Sequence, residues 1–157
     1  MSDEIRVEPH LGGILDTKAP YFSKQPVPAE IVAVLHAHAT ARKLELTVHP
    51  SRAVSAGEVH EILATDETGK GLSSVVDRVG YVACVAIKKS GMILVKDSVL
   101  LNGRVVGTVI GFDETHLPNH MNVVIYTPSL QTGRDIGLNL GDEVRFEMGE
   151  YPTEILP

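Results

Sequence analysis

Between Val79 and Glu147 the chain is a succession of short β-branched runs separated by turn residues, and this pattern narrows the fold more than any other feature. Tyr81-Val82-Ala83-Cys84-Val85-Ala86-Ile87 is apolar on both strand faces, as expected of a strand covered on both sides. Lys88-Lys89-Ser90-Gly91 turns the chain, and Met92 to Val95 continues it. Val99-Leu100-Leu101 and Arg104-Val105-Val106 flank Asn102-Gly103, a pair that tolerates the positive φ angles of a tight hairpin. A two-residue loop sets Val99 opposite Val106 and Leu101 opposite Arg104. Gly107 and Gly111 mark places for a bend or bulge. Asn122 to Tyr126 resumes the strand pattern, and Val144 and Phe146 alternate with charges, so one face there is wet. Five or six strands in about 70 residues are too many for a flat hairpin layer. A small closed or nearly closed barrel removes their unpaired edges.

The turn Gly141-Asp142-Glu143-Val144 resembles the last turn of many small β-barrel modules, a likeness of fold that carries no function. The first half of the chain reads differently. Ile5 and Val7 alternate with Glu4, Arg6 and Glu8 as in a short edge strand, after which Gly12-Gly13, Pro20, Pro26 and Pro28 break any regular period. Pro28 suits the first position of a helix. Ile31, Val32, Leu35, His38, Ala39 and Arg42 follow a spacing near 3.6, which predicts a helix from about Pro28 to Lys43. Leu44, Leu46 and Val48 alternate with polar residues up to Pro50, as in a half-buried strand. Ser55 and Glu58 have capping-box spacing ahead of Val59, Ile62 and Leu63, so 55–65 reads as a second helix, with a strand ending at Asp66-Glu67-Thr68-Gly69 as the alternative. Gly71 to Val76 is a brief helix or a crossover. The expected fold class is therefore α+β. One domain carries an extended arm (1–27), an N-terminal helix-containing αβ section (28–78), a small antiparallel β-barrel or barrel-like sheet (79–149) and a tail (150–157).

Composition limits the partners. With 157 residues, 43% of them hydrophobic and 22% charged, the chain is long enough for one substantial core. There is no Trp and only four Tyr and three Phe, so that core is aliphatic and a stacking platform for single-stranded nucleic acid is not expected. Fourteen Lys and Arg against 20 Asp and Glu give a net charge of −6, and the basic residues do not cluster; nucleic acid is not an expected partner. Cys84 is the single cysteine, which excludes an internal disulfide or thiolate zinc cluster and fits a cytoplasmic protein. Met1-Ser2-Asp3-Glu4 lacks the basic flank of a secretion signal, and no apolar run reaches the ~18 residues of a membrane span. Tyr21 and Phe22 form an apolar pair in an irregular arm and need a surface to cover, so a homo-oligomer is expected.

The densest chemistry lies in Asp113, Glu114, His116, Asn119 and His120, in a connection longer than a strand reversal requires. Imidazole with carboxylate is the ligand set of a divalent metal such as Zn, and Asp113, Glu114, His116 and His120 are the candidate ligands. Pro118 disfavours a regular helix through the His pair, so only a folded-back loop converges them. Alternatively, Asp113 and Asn119 satisfy the amides of a tight turn while the imidazoles lie at the surface. His36 and His38, on a helix, point about 200° apart and share no ion. Glu58, His60 and Glu61 read as a solvated helix face, and Cys84 as a small buried hydrophobe. Ser129 to Asp135 offers hydroxyls, Gly133 and Arg134, either a carboxylate or phosphate clamp or a turn with an Arg134–Asp135 ion pair. No P-loop, dinucleotide fingerprint or nucleophile elbow is present.

These readings lead to three expectations. The first is a non-catalytic small-ligand-binding or assembly module using loops 113–121 and 127–139, with Glu114, His116, Asn119, His120 and Arg134 as binding residues. A divalent-metal-dependent enzyme with its site at 113–120 is the alternative. The third is metal-free acid–base catalysis on a small anionic substrate held by Arg134, with His116 or His120 moving the proton.

Overall fold

Alternation with a period of two, not 3.6, organises the segment read as the first helix. Val27, Ala29 and Ile31 are buried and Pro28 and Glu30 are not, so the chain forms a strand, β1 (Val27–Ala39). The computed structural model describes residues 21–149, and no helix occurs among them. The expected edge strand at Ile5 and Val7 and the tail from 150 lie outside the described residues. The misreading has a local cause. The register of β1 against its neighbour slips between Ile31 and Ala33 and again between Val34 and Ala37. Such bulges space apolar residues by two and by three and so imitate a helical stripe. Ile31, Val32 and Val34 are also β-branched, which suits a pleated surface better than a helix.

Ten strands follow among the described residues: β2 (Leu44–Glu45), β3 (Ser51–Val54), β4 (Val59–Thr65), β5 (Val75–Val76), β6 (Val79–Ile87), β7 (Gly91–Leu94), β8 (Ser98–Leu101), β9 (Arg104–Asp113), β10 (Asn122–Tyr126) and β11 (Glu143–Glu147). The second expected helix is β4. Its supposed capping box is a turn in which the Glu58 amide donates to the Ser55 carbonyl at 3.2 Å, around Gly57 at φ +92°. Gly71 to Val76 supplies a turn and β5. The expected α+β class thus gives way to an all-β architecture.

Seven strands close a barrel in the order β1-β11-β8-β9-β10-β4-β6. The strands after Val79 do not close it alone: β1 bridges β11 to β6, and β4 bridges β6 to β10. The β4–β10 pair is parallel and the other barrel pairs are antiparallel. The Asn102-Gly103 turn forms as read, with φ of 46° and 82°, and Leu101 faces Arg104. A bulge between Val99 and Leu100 then moves Val99 opposite Gly107 instead of Val106.

The barrel interior is filled by Ile31, Ile62, Val85, Phe112, Val123 and Phe146 among others. A second core lies on the outside of the wall, where Leu44, Leu46 and Val76 around the β2–β5 ribbon cover Leu63, Val79, Ile110 and Val124. The ribbon has little backbone pairing of its own. Its attachment rests on burying those side chains, at about 1.5–3 kcal/mol for each large one. The β3–β7 ribbon sends Val54 and Ile93 into the first core. Lys24 crosses the same region, with Nζ 3.0 Å from Asp97 Oδ2 and donating to the Phe146 carbonyl at 3.1 Å. Burial pushes the Asp97 carboxyl up to about 6, against the opposing pull of the Leu94 amide and the Lys24 ammonium. Tyr21 donates its hydroxyl hydrogen to Ser51 at 3.0 Å, whereas Phe22 is 98% exposed. Among the described residues no helix is long and apolar enough to cross a membrane.

Candidate functional site

Loops 113–121 and 127–139 leave opposite ends of β10, which at ~3.3 Å per residue separates them by roughly 15 Å. They have different surroundings.

At the entry to β10 the loop folds back on itself, the Asn119 amide donating to the His116 carbonyl at 2.9 Å. Asp113 is buried, accepting from the Thr115 hydroxyl at 2.6 Å and from Asn122 Nδ2 at 2.8 Å. Glu114 pairs with Arg52. His116 stacks on His120 with ring centroids 5.1 Å apart and meets Arg42 at 3.5 Å. His120 Nδ1 lies 2.6 Å from Asn119 Oδ1, and its Nε2 lies 3.0 Å from Glu61 Oε2. That second approach lacks hydrogen-bond alignment, so it is an electrostatic contact.

His60, read from the sequence as part of a solvated face, is only 7% exposed. Its Nδ1 accepts the Met121 amide at 3.1 Å, which leaves the proton on Nε2 to donate to Glu58 at 2.6 Å. That bond holds the Glu58 carboxyl below its usual range. The signal for His60 was its place two before Ile62, hence on the inward face of a strand. Arg52, Glu58, His60, Pro118, Asn119 and His120 help line a cleft of about 330 Å³. Of the four expected metal ligands, His116 and His120 come together, whereas Asp113 turns to Thr115 and Asn122 and Glu114 to Arg52. Among the described residues no group of three or more His, Cys, Asp or Glu side chains is gathered to hold a metal ion.

At the exit from β10, loop 127–139 crosses the barrel mouth as a lid. The Thr127, Gly133 and Arg134 amides donate to the carbonyls of Thr65 (2.9 Å), Tyr81 (3.2 Å) and Leu35 (3.2 Å), tying it to β4, β6 and β1. Close approach is possible because two facing positions lack side chains. A Cβ on Gly80 would sit 2.3 Å from the Gln131 carbonyl oxygen, and one on Gly133 would sit 2.0 Å from that of Val82. Thr132 and Asp135 brace the lid reciprocally, the Thr132 amide donating to Asp135 Oδ2 at 3.0 Å and the Asp135 amide to Thr132 Oγ1 at 3.2 Å. The Thr132 amide, and after it the Thr132 hydroxyl, hold the Asp135 carboxyl below its ordinary range, with His36 and His38 adding to the effect.

With β1 a strand, the two imidazoles share the face that meets the lid: His36 Nδ1 lies 3.0 Å from Thr132 Oγ1, and His38 Nε2 lies 3.7 Å from Asp135 Oδ2. No Arg134–Asp135 ion pair forms among the described residues. Cys84, read as buried, is half-buried opposite Glu61, whose charge joins burial in raising the thiol.

Beneath the lid is a cavity of about 280 Å³. Ile62, Ala64, Val82, Val99, Leu101 and Ile125 form its aliphatic walls, while Thr127, Gln131, Ile136 and Arg104 contribute from the lid and rim. Sequence reasoning missed this lining, because each residue alone reads as ordinary barrel core. An apolar chamber with a few polar groups at the mouth of a barrel is a usual form for a small-molecule site.

No curated protein and no solved structure matches the chain. A protein-family profile does match, over residues 21–147, and those residues span the whole barrel and both loops. The chain belongs to that family, described as "Family of unknown function (DUF6917)".

Proposed function

We propose that this protein is a non-catalytic binding module that holds a small, mainly apolar molecule in the barrel mouth beneath loop 127–139. The observation carrying this reading is the 280 Å³ chamber walled by core residues. Buried aliphatic side chains that border this much space at the barrel mouth offer a ligand apolar contacts of the kind small-molecule sites use. The 113–121 end supports binding less well. Its imidazoles, Arg52 and Glu114 are already paired with one another or with β4, and an incoming ligand would have to break those pairs.

Calorimetric titration with 1-hexanol tests the proposal. Seven non-hydrogen atoms largely enclosed by apolar walls should give a Kd between about 10 μM and 1 mM. Ala64→Leu fills the chamber and should weaken binding tenfold or more, while a melting curve confirms that the variant folds. No heat of binding up to saturating 1-hexanol, or unchanged affinity in the folded Ala64→Leu variant, would refute it.

A further inference from the structure

Resting on that reading, we infer that the ligand is an amphiphilic monocarboxylate, its tail among the aliphatic walls and its carboxylate on Arg104. Among the described residues Arg104 is the only ionisable one lining the chamber, and it also lines an adjoining cavity of about 310 Å³ with Leu101, Asn102, Ile136 and Asp142. It opens β9 directly after the Asn102-Gly103 turn, so its position is set by the barrel and not by the lid.

Pairing elsewhere sets it apart. Among the described residues Arg42 bonds the Tyr81 hydroxyl, Arg52 pairs with Glu114, Arg78 with Asp66, and Arg145 with Glu143 and Glu147. Arg104 and Arg134 alone have no ion pair or hydrogen bond from their side chains to a described residue. In a chain of net charge −6, a guanidinium at the chamber rim with no carboxylate partner among the described residues favours an anion there. The acidic neighbour in the adjoining cavity, Asp142, is engaged with the Asn139 amide at 2.9 Å.

The planar fork of one guanidinium matches a carboxylate through two parallel N–H donors. A dianionic phosphate calls for more donors than this lining supplies.

Calorimetry with hexanoate, 1-hexanol and hexyl phosphate on the wild-type protein and Arg104→Gln decides the matter. Hexanoate should bind at least tenfold tighter than 1-hexanol. Arg104→Gln should abolish that preference, weakening hexanoate at least tenfold, while a melting curve confirms that the variant folds. Raising NaCl from about 50 to 500 mM should weaken hexanoate and spare 1-hexanol. Equal affinity for hexanoate and 1-hexanol, or an unaltered preference in Arg104→Gln, overturns the inference while the apolar chamber stands. Tighter binding of hexyl phosphate overturns the choice of carboxylate. If none of the three binds, the proposed function falls with it.

Discussion

Gly133→Ala tests whether the lid is clamped to the barrel or merely lies near it. The new Cβ would start 2.0 Å from the Val82 carbonyl oxygen, whereas ordinary van der Waals contact begins at 3.4 Å, so one backbone must retreat by about 1.4 Å. Both segments are backbone, and no side-chain rotation relieves the clash. A displacement of that size lengthens the Gly133–Tyr81 and Arg134–Leu35 bonds, each now 3.2 Å, beyond hydrogen-bond range. Two lost bonds at about 1 kcal/mol each, together with overpacking strain of about 1–3 kcal/mol, place the cost near 2–4 kcal/mol after partial relaxation. For a chain of this size that lowers Tm by roughly 4–16 °C. Scanning calorimetry measures it, with Gly71→Ala as the control, because a Cβ there meets nothing within 4 Å. The variant should also bind 1-hexanol at least tenfold more weakly. A Gly133→Ala protein that melts with the control and binds normally would refute the reasoning.

The second core makes a separate claim. Leu63 is fully buried against the β2–β5 ribbon, so Leu63→Ala should cost about 2–5 kcal/mol in urea unfolding, and a cost below about 1 kcal/mol would mean that the ribbon is loosely attached. Asp97 gives a pH signature. Its native carboxyl titrates near 6 against 3.8 ordinarily, so the folded state holds a proton that the unfolded chain releases. Stability from this group therefore falls as pH rises from about 4 to 6, by up to about 3 kcal/mol, and stays low above that window. Glu58, Asp66 and Asp135, held low by their hydrogen bonds, work in the opposite direction. The wild type minus Asp97→Asn difference in urea unfolding isolates the effect, and a difference that is flat over pH 4–6 would contradict it.

Much of the C-terminal half was legible because its signals are local. The Asn102-Gly103 hairpin, the two-sided apolar run of β6 and the alternation around Val144 and Phe146 each depend on a few consecutive residues. β1 was illegible because its bulges altered the spacing of Ala29, Ile31 and Val34, a consequence of how β6 pairs with it. β4 was misread because the Ser55–Glu58 spacing serves a turn as well as a helix cap. The crowded polar residues at 113–120 did gather near other charges, but the partners, Arg52, Glu58, His60 and Glu61, come from β3, β4 and the turn before it. The mouth was harder still. Its lining runs from Ile62 to Ile136, and only barrel closure, which needs the misread β1 and β4, brings those residues together.

The most direct test of a binding chamber in the barrel mouth is methyl-resolved NMR of the protein titrated with 1-hexanol. The account predicts intermolecular NOEs and saturable shifts at the methyls of Ile62, Val82, Val99, Leu101 and Ile125. Perturbations confined to Val59 and Leu117 in the opposite cleft, or none at any methyl, would contradict it.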